Sequence, residues 1–416
     1  MTEYYSTKMN FFGNSNPEKL IKEFGSPLYV YNERILRQKC RDMKNLVDYP
    51  HFIPNYSIKA NSNLHIIKIV REEGLRADAM SAGEVQLLLH AGYKPEELFF
   101  VPNNVSEAEL KYAVEMGVLV SVDSLSQLEL LGKINPGGKA AVRFNPGVGA
   151  GHHEKVITAG KKTKFGVNID CVPQVKEIAK KYNLKIIGIN QHIGSLFMEG
   201  DSYIEGVKSI LSVAEQFEDI DFVDMGGGFG IPYRKQEGQA PLDLVSFKEK
   251  LSAVLFQWTE KYGKKLLFKS EPGRYIVAES GILLGTVYAT KNNYGNKYVG
   301  TDIGFNVLAR PVMYDSHHDI EVYKNGVPQN QGETEAVTVV GNICESGDII
   351  AKHRDLPKIQ EGDILGIMDA GAYGAAMSSN YNMRLRPAEV MIKENGEAVL
   401  IRRRDTFEDI IAPYNV

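Results

Sequence analysis

A single lysine at the end of a short apolar segment is well placed to do chemistry. Lys59 lies in the stretch Asn55–Asn61, whose β-branched and aromatic residues predict a strand that runs into a turn. Ligands of α/β proteins bind at the carboxyl ends of strands. A lysine that is desolvated there has a lowered pKa, and its free amine can form an imine with a carbonyl cofactor. The alternative is a solvated surface charge.

A run of glycines suggests a site for phosphate. Asp224–Gly230 reads Asp-Met-Gly-Gly-Gly-Phe-Gly. Consecutive glycines let backbone amides converge without interference from Cβ atoms, which suits an anion. The spacing is not that of the dinucleotide-binding fingerprint. A flexible turn is the alternative reading.

Two further motifs join a charged or aromatic group to a turn. In His192–Ser195 the histidine could stack on a flat cofactor or move protons, and Ser195 could donate to a phosphate, although the histidine could also be structural. Glu271–Arg274 places a carboxylate and a guanidinium at one rim, or forms a surface ion pair. Polar clusters follow at Arg310–Tyr314, Cys344–Asp348 and Asp369–Gly374.

The elements that must position these residues alternate regularly. Eight strand-like segments predict a (β/α)8 barrel, with ends near Lys59, Ala79, Pro102, Asp123, Phe144, Gln191, Asp224 and Glu271. Helical patterns fill most of the gaps, at 63–73, 82–91, 106–116, 124–131, 172–182, 202–217 and 246–262. A doubly wound sheet is the rival fold. The barrel is favoured because the unusual residues follow many different strands.

The sequence pattern changes after Gly281, where short runs of alternating apolar and polar residues replace the helical periodicity. These runs predict an all-β second domain, with a hairpin between 389–392 and 398–402 across Asn395-Gly396. In the barrel region, the irregular stretch Asn145–Gly166 carries His152 and His153. It is long enough to be a lid, and a solvated loop is the alternative.

Composition limits the classes of function. The chain has 416 residues, too many for one core, and a net charge of −4 gives no reason to expect nucleic acid or membrane as a partner. Cys40, Cys171 and Cys344 are odd in number and far apart, which indicates reduced thiols in the cytoplasm rather than disulfides or a zinc site. We also expect no signal peptide and no membrane span.

Together the motifs resemble one family. A lysine at the first strand, His-Ile-Gly-Ser, Gly-Gly-Gly-x-Gly, Glu-Pro-Gly-Arg, Cys-Glu-Ser-Gly-Asp and Asp-Ala-Gly-Ala-Tyr occur in the order seen in fold-type III pyridoxal-phosphate decarboxylases. The segment Arg310–Tyr314, with His317 or His318 beyond it, is similar to the diaminopimelate decarboxylase branch. The resemblance runs from about Gly25 to Pro413.

The resemblance implies a fold and a function. The fold is a barrel over 32–281 and a β domain formed by 1–31 with 282–416, in a homodimer whose subunits share the active site. The implied reaction converts meso-2,6-diaminopimelate to L-lysine and CO2. Rival hypotheses are a decarboxylase of another acidic-tailed or diamino amino acid, a racemase of the same fold class and a non-catalytic homologue.

The resemblance also implies residue roles. Lys59 forms the Schiff base with pyridoxal 5'-phosphate, His192 stacks on its ring and Glu271 holds the pyridine nitrogen. The remaining residues implied to bind the cofactor are Ser195, Gly228, Gly230, Gly273, Arg274 and Tyr373. Those implied to bind the substrate are Arg274, Arg310, Tyr314, Glu345 and Tyr373. Cys344 of the other subunit is the implied acid, and no metal is expected.

Three parts of the sequence depart from the family pattern. Leu196 stands where glutamine is expected after His-Ile-Gly-Ser, Met80 and Ala82 replace the usual residues of the segment 78–84, and the lid stretch 158–166 is also different. We expect these differences to affect lid closure and fine substrate preference rather than the core chemistry.

Overall fold

The computed structural model describes residues 3–145, 147, 150–151, 163–414 and 416. They form two compact units. We call the first the barrel unit (Lys39–Ile231 and Pro241–Ile276) and the second the β unit (Met1–Gln38, Pro232–Ala240 and Val277–Val416). The sequence-based boundaries 32–281 place residues 232–240 in the barrel domain, whereas in the structure these residues cluster with the β unit.

The strands alternate with helices through the first two thirds of the chain and dominate the last third. In chain order the strands are β1 Leu28–Asn32, β2 Phe52–Ser57, β3 Arg76–Ala79, β4 Leu98–Phe100, β5 Leu119–Val122, β6 Lys139–Asn145, β7 Ala150–Gly151, β8 Val167–Asn168, β9 Lys185–Asn190, β10 Gly194–Ser195, β11 Phe222–Asp224, β12 Leu267–Ser270, β13 Gly281–Asn293, β14 Asn296–Thr301, β15 Ile320–Lys324, β16 Val327–Pro328, β17 Thr334–Val340, β18 Ile349–Pro357, β19 Ile364–Ile367, β20 Ala388–Ile392 and β21 Ala398–Arg402.

The helices are α1 Tyr5–Lys8, α2 Pro17–Phe24, α3 Glu33–Lys44, α4 Leu64–Glu72, α5 Ala82–His90, α6 Glu107–Glu115, α7 Leu125–Ile134, α8 Val172–Lys181, α9 Gly200–Ala214, α10 Leu244–Tyr262, α11 Arg274–Val277, α12 Arg310–Tyr314 and α13 Phe407–Ile411. All seven helices predicted between the barrel strands are present. Within the described ranges, no helix combines the length and apolar character that a bilayer crossing requires.

Eight parallel strands close into a barrel, which confirms the predicted fold and excludes the doubly wound sheet. The hydrogen-bonded order is β5-β4-β3-β2-β12-β11-β9-β6, and the pairing of β5 with β6 closes the ring. An open sheet would have two unpaired edges, whereas every strand of this ring has two neighbours. All eight predicted strand ends lie within two residues of the observed ones.

Side-chain caps explain where the helices of the barrel begin. The hydroxyls of Ser81, Ser106 and Ser124 each accept a hydrogen bond from the backbone amide three residues later. Such a cap satisfies an amide that has no partner within the helix. The caps, which lie two residues after β3 and β5 and six residues after β4, therefore fix where α5, α6 and α7 begin.

An aromatic cluster supports the loops that follow β9 and β11. The rings of Phe197 and Phe229 lie 5.1 Å apart, and both contact Phe247 of α10 and Tyr203 of α9. The Tyr203 hydroxyl donates to the carbonyl oxygen of Gly226 at 3.1 Å. Because these rings are buried, two helices hold the two loops in place from outside the barrel.

The β unit is built on one large sheet that takes in the N-terminal strand. Its order is β16-β15-β19-β13-β1-β20-β21, and β14, β17 and β18 extend it from β13. β1 pairs antiparallel with β13 and parallel with β20, so the sheet takes in the N-terminal segment, as the family resemblance implied. The predicted hairpin of β20 and β21 is present, with Gly396 at φ +84° in its turn. The sequence did not predict β14, β15, β16, β18 or the short helices α12 and α13.

A buried ion cluster anchors residues 232–240 within the β unit. The Lys235 ammonium lies 2.7 Å from the Asp369 carboxylate and 3.2 Å from that of Glu279. Burial opposes the charge on Lys235, but the two carboxylates outweigh burial and raise its pKa. The Gln236 amide also donates to Asp319 at 2.9 Å. These contacts explain why this segment clusters with the β unit; the boundaries 32–281 stay a prediction.

Candidate active site

The turn that carries Lys59 packs against the Glu271–Arg274 motif. β2 ends at Ser57, and Lys59 lies in the 3-10 turn Ile58–Ala60 that follows it. The Ser57 amide donates to the Pro272 carbonyl at 3.1 Å. A Cβ on Gly273 would come within 3.2 Å of atoms of Ser57 and Ala60, so the absence of a side chain permits this approach. The two motifs are thus neighbours in space.

The expectation that Lys59 is desolvated is wrong for the chain without a ligand. Its side chain is exposed, because it extends beyond the strand end from a turn rather than into the packed interior. Its positive charge nevertheless acts on four groups of the barrel: it lowers the pKa values of Asp78, Glu84, Glu271 and His192, although burial is the largest influence on each.

The glycine run after β11 is packed between two other motifs. A Cβ on Gly226 would overlap the Gln191 carbonyl, one on Gly227 the Glu271 carbonyl and one on Gly228 the Gly194 carbonyl. The glycines are therefore required by close backbone approach, which neither the phosphate nor the flexible-turn reading had considered. The Glu271 amide donates to the Gly226 carbonyl at 3.0 Å, so the glycine run is directly bonded to the start of the Glu271 motif.

The two predicted amide donors differ in their availability. The Gly230 amide donates to the Phe197 carbonyl at 3.0 Å, so an anion would have to share it. For the Gly228 amide, none of the described residues supplies an acceptor. Gly228 has φ +106°, a conformation that side-chain-bearing residues rarely adopt. Gly228 is therefore better suited to bind an anion than Gly230.

His192 is held as a neutral acceptor. The Gly227 amide donates to Nδ1 of His192 at 3.1 Å, so in the neutral ring the proton is on Nε2. Burial, together with the positive charges of Lys59 and Arg143, lowers the pKa of His192 well below its usual value. A neutral ring can stack on a flat heterocycle without bringing a second positive charge.

Glu271 lies 6% exposed at the end of β12, and within the described part of the chain its Oε1 has no hydrogen-bond partner. Burial raises its pKa well above the ordinary value, and the carboxylates of Asp224 and Asp78 raise it further; Lys59 and Arg143 oppose them. A buried acceptor without a partner costs free energy of about 1–3 kcal/mol. A cationic donor placed against Oε1 would remove this cost and stabilise the anion.

Ser195 and Arg274 meet, as their predicted positions on one rim require. Nη2 of Arg274 donates to Oγ of Ser195 at 2.9 Å. Arg274 is 7% exposed, so the contact is mostly shielded from water. It joins the turn after β9 to the turn after β12, and it places a positive charge beside a hydroxyl.

The sequence analysis missed a set of charged residues inside the barrel. Arg143, Asp224 and Lys269 point inward from β6, β11 and β12, all at most 7% exposed. Burial raises the pKa of Asp224 to about 6 and lowers that of Lys269 to about 8. Arg143 interacts electrostatically with Glu271, and its guanidinium lies 4.7 Å from the Phe165 ring centroid. The sequence signal that could have identified them is the presence of charged residues within strands that were predicted to be buried.

In the β unit, Arg310 is fixed by its neighbours. It is 2% exposed, its Nη1 lies 2.8 Å from Nε2 of His318, and its guanidinium lies 4.8 Å from the Tyr233 ring centroid. Nδ1 of His318 lies 2.7 Å from the Met368 carbonyl, which can only accept. Nδ1 therefore carries a proton and Nε2 accepts from Arg310. Tyr314 is half-buried at the end of the same helix, α12.

The remaining predicted residues of the β unit lie on turns. Cys344 and Glu345 are exposed, and Tyr373 is half-buried with φ +56°. Asp369, in the same motif as Tyr373, is used by the buried ion pair with Lys235. All three cysteines are free thiols, and Cys344 is the exposed one.

Two of the unusual positions can be located. Leu196 has φ +65°, a left-handed conformation that is uncommon for leucine. The Met80 amide donates to the Glu84 carboxylate at 2.6 Å. Of the predicted lid, His152, His153 and residues 158–162 lie outside the described residues.

Comparison with known proteins finds one family throughout. Residues 33–278 match the family described as pyridoxal-dependent decarboxylase, pyridoxal binding domain. A diaminopimelate decarboxylase of Methanothermobacter thermautotrophicus is 40% identical over 413 residues, which cover 97% of this chain and 95% of that one. That of Escherichia coli K12 is 35% identical, covering 95% of each chain.

Solved structures agree with the sequence relatives. A Helicobacter pylori diaminopimelate decarboxylase complexed with L-lysine superposes with a TM-score of 0.87 at 30% identity, covering 96% of this chain and 99% of that one. The agreement extends over both the barrel and the β unit, since nearly the whole chain is covered.

Proposed function

The chain belongs to the pyridoxal-dependent decarboxylases, and we propose that it converts meso-2,6-diaminopimelate to L-lysine and CO2. Relatives that carry the name diaminopimelate decarboxylase are 34–40% identical over nearly their full length, and one solved relative holds L-lysine, the product of this reaction. We also propose the residues of the active site, a homodimer whose subunits share that site, and a location in the cytoplasm.

The residues of the barrel unit fit pyridoxal 5'-phosphate. The unpartnered Oε1 of Glu271 is an acceptor that a protonated pyridine nitrogen would satisfy. His192 offers a neutral ring for stacking, and Gly228 together with the Arg274–Ser195 pair offers donors for a phosphate. Lys59 is exposed on the turn after β2, and its charge acts on both Glu271 and His192. We assign Lys59 as the residue that tethers the cofactor.

Glu271 would keep the cofactor ring in the form that accepts electrons. When bound, the cofactor supplies a ring that accepts the electron pair left by loss of CO2. Burial disfavours an isolated Glu271 anion, so the anion forms only with a cation against it. With the cofactor bound, Glu271 would therefore hold a proton on the ring nitrogen, and Arg143 and Lys59 would supply further positive charge to this carboxylate.

Cys344 and the substrate-binding groups belong to the β unit. Cys344 is exposed and would reach the site of the other subunit of a homodimer, where its thiol would protonate the carbon that has lost CO2. Tyr373 would lie beside the cofactor. Arg274, Arg310 and Tyr314 would bind the distal carboxylate and Glu345 the distal ammonium of the substrate.

Specificity follows from the fixed guanidinium groups. A planar guanidinium binds a carboxylate bidentately, and a substrate without that carboxylate leaves the charge unpaired. Leaving a desolvated charge unpaired costs about 2–5 kcal/mol, which is roughly 30- to 5,000-fold in turnover efficiency. Lysine and ornithine would therefore be poor substrates. Three free thiols in the chain support a location in the reducing cytoplasm.

One observation carries the proposal. The Lys59 turn, the glycine run and Glu271 are joined by direct backbone hydrogen bonds, from Ser57 to Pro272 and from Glu271 to Gly226. These bonds support our assignment of residues from three separate parts of the sequence to one site.

The test is a substrate panel assayed on the purified protein with added pyridoxal 5'-phosphate. CO2 and lysine should be released from meso-diaminopimelate, with at least about 30-fold lower efficiency on lysine and ornithine. Preferential turnover of another amino acid with an acidic tail would replace diaminopimelate as the substrate. Absence of CO2 release from the whole panel, in a protein that binds the cofactor, would favour a non-catalytic homologue.

A further inference from the structure

Residues Cys344 and Glu345 lie at the tip of a loop whose base is rigid. The buried Asp348 carboxylate accepts from the Ile343 amide at 2.8 Å and from the Phe305 amide at 2.7 Å. The Glu345 amide donates to the Ile343 carbonyl at 2.8 Å. The base is therefore fixed by buried hydrogen bonds, whereas residues 344–347 are exposed.

A second segment contacts this tip at two successive residues. We call Tyr381–Met383 the strap. The Asn382 side-chain oxygen accepts from the Cys344 amide at 3.0 Å. The Tyr381 hydroxyl donates to the Glu345 carboxylate at 2.7 Å. One short segment thus holds both of the residues to which the proposed function gives chemical roles at this tip.

The backbone of the strap explains why asparagine stands at position 382. Asn382 has φ +54° and Met383 has φ +57°, both in the left-handed region. Asparagine tolerates this conformation better than most residues with a side chain. The conformation is local to the strap, and the Asn382 side chain makes the bond to Cys344.

The ring of Tyr381 is also oriented. It stacks on Phe305, with ring centroids 5.6 Å apart and planes 25° apart. Phe305 is in turn the residue whose amide is bound by Asp348. The hydrogen bond to Glu345, together with the charge of that carboxylate, raises the pKa of the Tyr381 hydroxyl, so this hydroxyl remains a donor.

We propose that Tyr381 and Asn382 are positioning residues, which hold Glu345 and Cys344 in the orientations that substrate binding and proton donation require. This inference rests on the proposed function. Tyr381 acts on the substrate ammonium through Glu345, and Asn382 acts on the thiol through the Cys344 backbone. Neither was singled out by the sequence, because neither lies in a recognised motif.

The first test is a double-mutant cycle on the holoenzyme. Tyr381→Phe removes only the hydroxyl and should raise KM for diaminopimelate roughly 3- to 10-fold, with a smaller change in kcat. In a Glu345→Gln background, the same change should have less than half of that effect on a logarithmic scale. Tyr294→Phe, at a fully exposed tyrosine of the same unit, is the matched control and should change neither constant.

Additive effects in the cycle, or an unchanged KM in Tyr381→Phe while the wild type is active, would overturn the role of Tyr381. A wild type without activity on diaminopimelate would instead contradict the proposed function. The second test does not depend on the substrate, so it decides the inference in that case as well.

The second test measures how fast Cys344 reacts with iodoacetamide, with the site of modification identified by mass spectrometry. Asn382→Gly keeps the left-handed backbone accessible but removes the acceptor, and should change the rate at Cys344 by about 3-fold or more. Asn382→Asp retains an acceptor and should restore most of the wild-type rate. Asn325→Gly, at another left-handed asparagine of the β unit, is the control. Equal rates in the wild type and in Asn382→Gly would refute the role of Asn382.

Discussion

The two groups of residues assigned to the active site are positioned in different ways. In the barrel unit, charged side chains are buried at strand ends, and burial itself shifts their pKa values; that of Asp78 is raised to about 8. In the β unit, Cys344 and Glu345 are exposed on a loop and are held by hydrogen bonds from other side chains. In the barrel unit, desolvation therefore sets the pKa values of the assigned residues, whereas in the β unit hydrogen bonds set the orientation of Cys344 and Glu345.

The same contrast is found between two carboxylates. Burial dominates at Asp78, whose carboxylate accepts a hydrogen bond from the Ser57 hydroxyl at 3.1 Å. At Asp405 of the β unit, burial also opposes ionisation, but hydrogen bonds from Arg386, Asn380 and Arg402 outweigh it and lower the pKa to about 2. One carboxyl group is therefore stabilised in its neutral form and the other as an anion.

The largest effect on activity is expected at Lys59, the residue to which we assign the covalent attachment of the cofactor. Lys59→Ala should abolish CO2 release and remove the visible absorption band of the cofactor-bound protein, because no other amine occupies this turn. Lys68→Ala, at an exposed lysine of α4, is the control and should retain both. Retention of an imine band in Lys59→Ala would show that another lysine tethers the cofactor.

The next effect tests close packing at the glycine run. Gly227→Ala should lower the free energy of unfolding by about 1–3 kcal/mol, because the new Cβ would overlap the Glu271 carbonyl. Gly83→Ala is the control in the same unit. Gly83 lies in helix α5, and the atom nearest to a new Cβ there would be 3.8 Å away. The Gly83→Ala substitution should therefore stabilise the protein by about 0.5–1 kcal/mol. Urea unfolding measures both, and an undiminished stability of Gly227→Ala would contradict the close approach.

A smaller and more selective effect is expected at His318, the acceptor for buried Arg310. His318→Leu removes the bonds to Arg310 and to the Met368 carbonyl, at a cost of about 1–3 kcal/mol in stability, and should raise KM for diaminopimelate more than it lowers kcat. His318→Gln keeps an acceptor and should recover part of the loss. His317→Leu, whose ring contacts Asp319 instead, is the control for KM.

A further difference is expected in the pH dependence of stability at the two carboxylates, Asp78 and Asp405. The folded-state pKa of Asp78 is raised from 3.8 to about 8, so its stabilising contribution is complete below pH 3.8 and is lost as the pH rises toward 8. That of Asp405 is lowered to about 2, so its contribution is present above pH 3.8 and is lost as the pH falls toward 2.

Urea unfolding at constant cofactor concentration tests this difference. Asp78→Asn should gain stability relative to the wild type as the pH rises from about 4 to about 8. Asp405→Asn should lose a nearly constant amount over the same range. Parallel profiles for the two variants would show that burial and ion pairing do not separate these carboxylates.

Much of the architecture could be predicted because its signals are local. The strand ends near Lys59, Asp224 and Glu271 were marked by changes from apolar runs to turn residues, and helical periodicity marked the helices between the strands. The strands β14, β15 and β18 were missed, since β propensity depends on packing against neighbours that are distant in sequence. Helix α12 was missed because its five residues are too few to show a helical period.

Candidate site residues could be named from the sequence where a motif joins several of them, and candidates were missed where one residue stands alone. Lys59, His192 and Glu271 each stand in a recognisable segment. Arg143 and Asn382 do not, although the first interacts electrostatically with Glu271 and the second accepts a hydrogen bond from the Cys344 amide. Their importance depends on which side chains they meet, and sequence spacing does not report this.

The order of residues by itself determined the alternation of strands and helices, the glycines and the set of side chains able to do the chemistry, since propensity, capping and residue type are local properties. The tertiary structure alone decided that Gly227 has no room for a Cβ, that Lys59 is exposed while Glu271 is buried, and that residues 232–240 cluster with the β unit. Burial and close approach depend on segments far apart in the chain, and these are brought together only by folding.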